Sequence, residues 1–218
     1  MGLRAGPGPL DLDSFGRRVT APQSPLVDLE AATFVDAYGL VGMACLLESL
    51  GEAGLSPVFV APSDVAVGRY LARMRLQDLL DRWEVRVEGS PLPPVRELAG
   101  ADQLLAVQWF DNVADYDRLA NLIWSRLDGQ VDPQVLEALY EALQELGANV
   151  IEHSRAPGGD VAAQVFRRDS PEEYVVLAMG DLGNRRARVP VGPLPPHLGS
   201  ACAVAGSGGG RQRIRRSG

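Results

Sequence analysis

The chain has 218 residues, 46% of them apolar, with a net charge of −7 and a pI near 4.9. That length holds one large domain or two small ones, and the acidic balance excludes nucleic acid and an anionic membrane surface as the main partner. No apolar run approaches the ~20 residues that span a bilayer. The N-terminus has no apolar core like that of a signal peptide. Gly2 does not complete a myristoylation motif, because Gly6 stands where Ser or Thr is needed. The expectation is a cytoplasmic protein. All basic residues are Arg, which reads as the mark of a GC-rich coding sequence. Cys45 lies in an apolar run, where a free cysteine is usually a small core residue. Its spacing from Cys202 fits neither zinc nor a redox motif.

In chain order, residues 1–23 are rich in Gly, Pro and charge and read as irregular. Residues 25–36, "PLVDLEAATFVD", read as a buried strand running into a loop. Residues 38–53 carry Leu40, Val41, Ala44, Leu47 and Leu50 at helical spacing, with Gly54 as a stop. "PVFVA" (57–61) is a short strand. Ser63 reads as the N-cap of a helix with Val67, Leu71, Met74 and Leu76 on one side. Alternating strands and helices predict an α/β layer.

Residues 84–100 hold three prolines and two glycines, and the domain boundary is placed there, with 85–102 as a linker. "LLAVQWF" (104–110) predicts a strand and 114–127 an amphipathic helix. Pro133 opens a long helix over 133–153. The segments either side of "DSP" read as a β-hairpin. From Pro190 to 218 the chain is low in complexity and reads as a disordered tail.

The turn after "VDLEAATFV" is Asp36-Ala37-Tyr38-Gly39. With its flanks, over about residues 20–80, it resembles the STAS family of anti-sigma-factor antagonists and their relatives; the domain is placed at 24–84. That family carries an Asp-Ser-Ser-Gly-like turn whose hydroxyl is phosphorylated at a helix N-terminus. Ala37 stands where that serine would be. A phosphorylation switch is therefore not expected here, and Asp36 is expected only to cap the helix.

In "ALQELGANVIEHS" (142–154), Glu145, Asn149 and His153 lie four apart, so on an α-helix they share one face. Leu136, Leu139, Leu143, Leu146 and Val150 form a neighbouring apolar stripe that can face a sheet. A bland reading makes the polar stripe a solvated face, yet Asn is a poor helix former. Further on, an apolar strand ends in Asp181-Leu182-Gly183, where a glycine lets backbone approach a ligand.

In this order the two motifs resemble the histidine-kinase-like (GHKL) ATPase fold, in particular the small anti-sigma-factor kinases. The resemblance covers roughly residues 100–185, and the partial domain is placed at 103–189. It implies ATP and Mg²⁺ as ligands. Asn149 would hold the metal, Glu145 would serve as catalytic base, and Asp181 and Gly183 would meet the adenine. His153 is a further candidate for the phosphates. The family's box is Asp-x-Gly-x-Gly, and here Arg185 replaces its second glycine.

The family's lid and second glycine box have no counterpart downstream. One synonymous coding of "GNRRARVP" (183–190), with a single A removed, reads Gly-Ile-Gly-Val-Arg-Ala-Ser. A shifted reading frame is therefore one account of the tail. Loss of the lid removes water exclusion and phosphate clamping, so ATP turnover is expected to be weak or absent. A truncated sheet is also expected to leave an unpaired edge.

The expected fold class is a small α/β domain followed by an incomplete α/β sandwich, α/β and α+β together. The expected function is an ATP-binding regulatory protein; the alternative is a non-enzymatic docking module in sigma-factor regulation. Either implies a regulatory protein partner, and a homodimer stays open.

Overall fold

The computed structural model describes residues 2–4, 8–10, 19–20, 25–94, 104–129, 131–153, 158–167, 173–181, 200–207 and 213–216. The chain is a mixed α/β protein. It divides into two compact units, the second beginning at Ala99, inside the expected linker.

In the first unit, short β-branched runs form strands β4 (Leu26–Asp28), β6 (Val58–Val60) and β7 (Arg86–Glu88), which pair in parallel in that order. Val27 and Phe59 are fully buried. The crossovers between these strands carry helices, as expected for parallel neighbours. Helix α1 (Ala37–Glu52) follows β5 (Ala32–Val35). It is apolar nearly all round, and so it sits inside the core rather than on it. Its C-terminus closes as the sequence predicts: Gly54 has φ 69°, its amide donates to Gly51 O at 2.9 Å, and the Leu55 amide donates to Leu50 O at 3.0 Å.

Several boundaries differ from expectation. The segment 25–36 is two strands, not one, because the Ala32 amide turns back to Leu29 O at 2.9 Å. The cap after β6 is Asp64, which accepts from the Ala66 and Val67 amides, while Ser63 Oγ donates to Glu30 O at 2.7 Å. The expected single helix is α2 (Val65–Arg73) and α3 (Leu76–Arg82), parted by Arg75 at φ 58°. Val67, Leu71, Met74 and Leu76 are all buried as predicted. The N-terminus contributes β1 (Gly2–Arg4) and β3 (Val19–Thr20) to the main sheet, and β2 (Gly8–Leu10) pairs with β5. Backbone pairing in strands of two or three residues needs little apolar pattern, so composition did not reveal these strands. For the same reason β7 lies inside the expected linker.

The second unit is an antiparallel sheet in the order β12-β11-β10-β9-β8. Its members are β8 (Leu104–Phe110), β9 (Gly159–Arg167), β10 (Glu173–Asp181), β11 (Ser200–Ser207) and β12 (Arg213–Arg216). Helix α4 (Val113–Leu127) is capped by Asn112, and α5 (Pro133–Ala148) by Asp132 with Pro133 in its first turn. One core joins them: Leu119, Ile123, Leu139 and Leu143 from the helices meet Val161, Val175 and Leu177 from the sheet.

Two expectations are corrected here. Residues 200–207 and 213–216 are strands rather than disordered tail, and β11 covers the β10 edge that a truncated sheet would leave open. Ladder hydrogen bonds need only an unpaired edge and a chain without bulk, and "SACAVAGS" supplies the latter. Among the described residues no helix is long and apolar enough to cross a membrane.

Candidate functional site

Two helix ends carry the polar motifs, one in each unit. At the start of α1, Asp36 caps the helix: its Oδ1 accepts the Gly39 amide at 2.8 Å. Asp36 is 7% exposed and Ala37 is fully buried. A Cβ on Gly39 would stand 2.5 Å from Leu10 O, so the backbone of β2 fills the space in front of this turn. Tyr70 lies close enough that burial, and then the Asp36 charge, push its phenol far above the usual tyrosine range. The capping role expected for Asp36 is what the geometry provides.

The end of α5 is built differently. The α-helix stops at Ala148, and a π turn covers Asn149–His153. The Asn149 amide still donates to Glu145 O, so these two residues stack one turn apart. Asn149 lies one turn beyond Glu145, and the backbone of the π turn carries on to His153, whose side chain lies outside the described residues. Glu145 and Asn149 are exposed.

The strand end comes to the same place. Val175, Leu177 and Met179 of β10 face the helices, and side chains alternate along a strand, so Asp181 belongs to that same face. Its register partner on β9 is Gly159, which is also the partner of Phe110 on β8. A Cβ on Gly159 would lie 3.0 Å from Val150 Cγ1, 3.1 Å from Phe110 Cζ and 2.9 Å from Gly180 O. Val150, next to Asn149, therefore packs on the glycine that Asp181 pairs with. Asn149 and Asp181 belong to one end of the sheet and one side of it. Asp181 is half-buried. Gly183 and Arg185 lie outside the described residues.

Several residues at this end were not singled out in the sequence. Gly147, between Glu145 and Asn149, has the ring of Tyr116 directly over its Cα, where any Cβ would overlap it. Phe110, fully buried, meets that ring with centroids 5.3 Å apart at 54°. Gly158 is closed off by Phe110 O and Trp109. The available signal was a glycine inside a helix, where it costs about 1 kcal/mol against alanine.

The donor set bears on a metal. Among the described residues no group of three or more His, Cys, Asp or Glu could hold one. This end offers the exposed amide of Asn149 and the exposed carboxylates of Glu145 and Glu152, which by themselves form no cage for a metal. It fits Mg²⁺, which keeps several waters and takes most of its remaining shell from phosphate oxygens. No protein-family model matches the chain, and neither does any curated protein or solved structure.

Proposed function

We propose that the second unit is a nucleotide-binding domain of the histidine-kinase-like ATPase type, fused to a STAS-like docking domain in a regulatory protein. The reading rests on one observation: the Asn149 turn and the Asp181 strand end meet around Gly159, with Val150 against that glycine and Asp181 beside it. A half-buried carboxylate on the helix-facing side suits the amino group of a purine. An exposed amide one turn beyond a carboxylate suits a magnesium ion that arrives with phosphates. Asn149 would hold the metal and Asp181 the base; His153 and Gly183 are the remaining candidates for contact. Bound Mg-ATP supplies the phosphoryl group. Glu145 would accept the proton from an attacking hydroxyl or water. Turnover is expected to be weak, because Arg185 stands in the glycine box and nothing downstream resembles a lid.

Titration of the full chain with Mg-ATP tests this reading. Saturable binding that Asp181→Asn weakens about tenfold or more, while leaving the fold intact, supports it; a change of that size is usual when a charged recognition group is altered. No binding at millimolar nucleotide removes it and leaves the second reading, a docking module without chemistry. Ala37 favours that alternative for the first unit, since a buried alanine offers no phosphoacceptor. A cytoplasmic setting, and a partner drawn from sigma-factor regulation, belong to both readings.

A further inference from the structure

We propose that Tyr116 and Phe110 are positioning residues: together they form an aromatic column that sets the distance between the Asn149 turn and the Asp181 strand end. The column's purpose rests on the nucleotide reading, but its existence stands on contacts alone. Tyr116 projects from the inner face of α4, in line with Leu119, Ala120 and Ile123. Its ring lies on the backbone of Gly147, midway between Glu145 and Asn149. The same ring meets Phe110, the last residue of β8. Phe110 Cζ then lies over Gly159, the partner of Asp181. Val150 rests on the same glycine from α5, which closes the circuit.

Both ends of the column are glycines, so each ring bears on main chain rather than on a side chain that could swing aside. Aromatic rings have only two side-chain torsions and transmit a spacing rigidly. Moving either ring therefore moves the helix end and the strand end relative to each other. Burial pushes the Tyr116 phenol far above the usual tyrosine range, with the Gly147 amide offsetting part of that. Among the described residues its hydroxyl has no hydrogen bond of good geometry.

A second aromatic contact supplies the control. Trp124 of α4 meets Tyr140 of α5 edge-on, with centroids 5.3 Å apart at 83°. It joins the same two helices about two turns further along α4, and Trp124 is partly exposed. If the aromatic contacts only glue the helices together, the two pairs should behave alike.

The experiment compares Tyr116→Leu, Tyr116→Phe, Gly147→Ala and Trp124→Leu in the full chain. It reads the amide resonances of Asn149 and Asp181, and the affinity for Mg-ATP. Tyr116→Leu is expected to shift both amides together and to weaken Mg-ATP about tenfold or more, as supporting groups behind a ligand commonly do. Tyr116→Phe keeps the ring and is expected to match the parent. Trp124→Leu is expected to leave both amides and the affinity unchanged. Where Tyr116→Leu does not fold, Gly147→Ala pushes the column from its other end and is expected to shift the same two amides. Adding Gly147→Ala to Tyr116→Leu fills part of the vacated space and recovers part of the loss. The proposal is overturned if Tyr116→Leu, or Gly147→Ala in its place, shifts the two amides no more than Trp124→Leu does, or shifts one without the other. If the parent chain binds no Mg-ATP while the paired shifts still appear, the column stands and the nucleotide reading alone falls.

Discussion

The Asp36 turn and the Asn149 turn both join a helix end to a short polar motif, and they differ in what surrounds the polar groups. At Asp36 the carboxylate accepts the backbone of its own helix, Ala37 is sealed, and Leu10 O fills the space before Gly39. At Asn149 the helix loosens into a π turn, and the amide and Glu145 face outward. The first turn consumes its polar groups in holding the fold. The second leaves Glu145 and Asn149 exposed at the surface. A motif that matches in sequence becomes a site only where a ligand can reach its polar groups, and single-turn π segments occur often at functional sites.

That contrast can be broken by substitution, and the largest effect is expected at the packed joint behind the open turn. Phe110→Ala removes a fully buried ring and should cost the second unit about 3–5 kcal/mol in chemical denaturation. At the closed turn, Gly39→Ala drives a methyl group toward Leu10 O and should cost about 1–3 kcal/mol despite the gain in helix propensity. Asp36→Ala should cost about 0.5–2 kcal/mol, the usual worth of an N-cap. A loss well below that range would mean the cap does not hold α1. In the open region, Tyr116→Phe should be neutral or stabilising by up to about 1 kcal/mol, because it removes a buried hydroxyl and keeps the ring. Asn149→Ala should leave stability unchanged or slightly raised, since Ala is the better helix former by up to about 0.7 kcal/mol. A marked loss there would show that Asn149 serves the fold, as Asp36 does.

The smallest effect concerns pH. Tyr70 and Tyr116 are both held protonated by burial. A raised native pKa means that the unfolded chain releases its proton first, so their contribution is complete below about pH 10 and is lost as pH rises above it. Tyr116→Phe should flatten the alkaline fall in stability measured in denaturant. An unchanged slope would contradict the burial of that phenol.

Much of the fold was legible because its elements announce themselves. "LLAVQWF" is a short apolar run and became β8 over the predicted residues. The spacing of Leu136, Leu139 and Leu143 predicted the buried stripe of α5. Gly54 marked the end of α1 by a backbone angle that only a few residues adopt readily. The strands near both termini were not legible. β11 is made of Ala, Ser, Gly, Cys and Val, with no contrast between faces, and its register comes from the neighbouring β10. The π turn was hidden too, since Asn149 and His153 sit four apart whether the helix continues or widens. Within the candidate site, Glu145, Asn149 and Asp181 could be picked out by residue type and spacing. Tyr116 could not, because its importance lies in the missing side chain of Gly147, far away in sequence. Gly159 reads in sequence as half of a Gly-Gly loop, and only the pairing of three strands shows what it touches.

The central claim is that Asn149 and Asp181 serve one ligand. Amide resonances of the full chain, followed through a titration with Mg-ATP, test this most directly. The account predicts that the Asn149 and Asp181 signals move along one saturation curve with a single midpoint, while the Gly39 amide stays still. Movement of one without the other, or movement centred on the Asp36 turn, would contradict it.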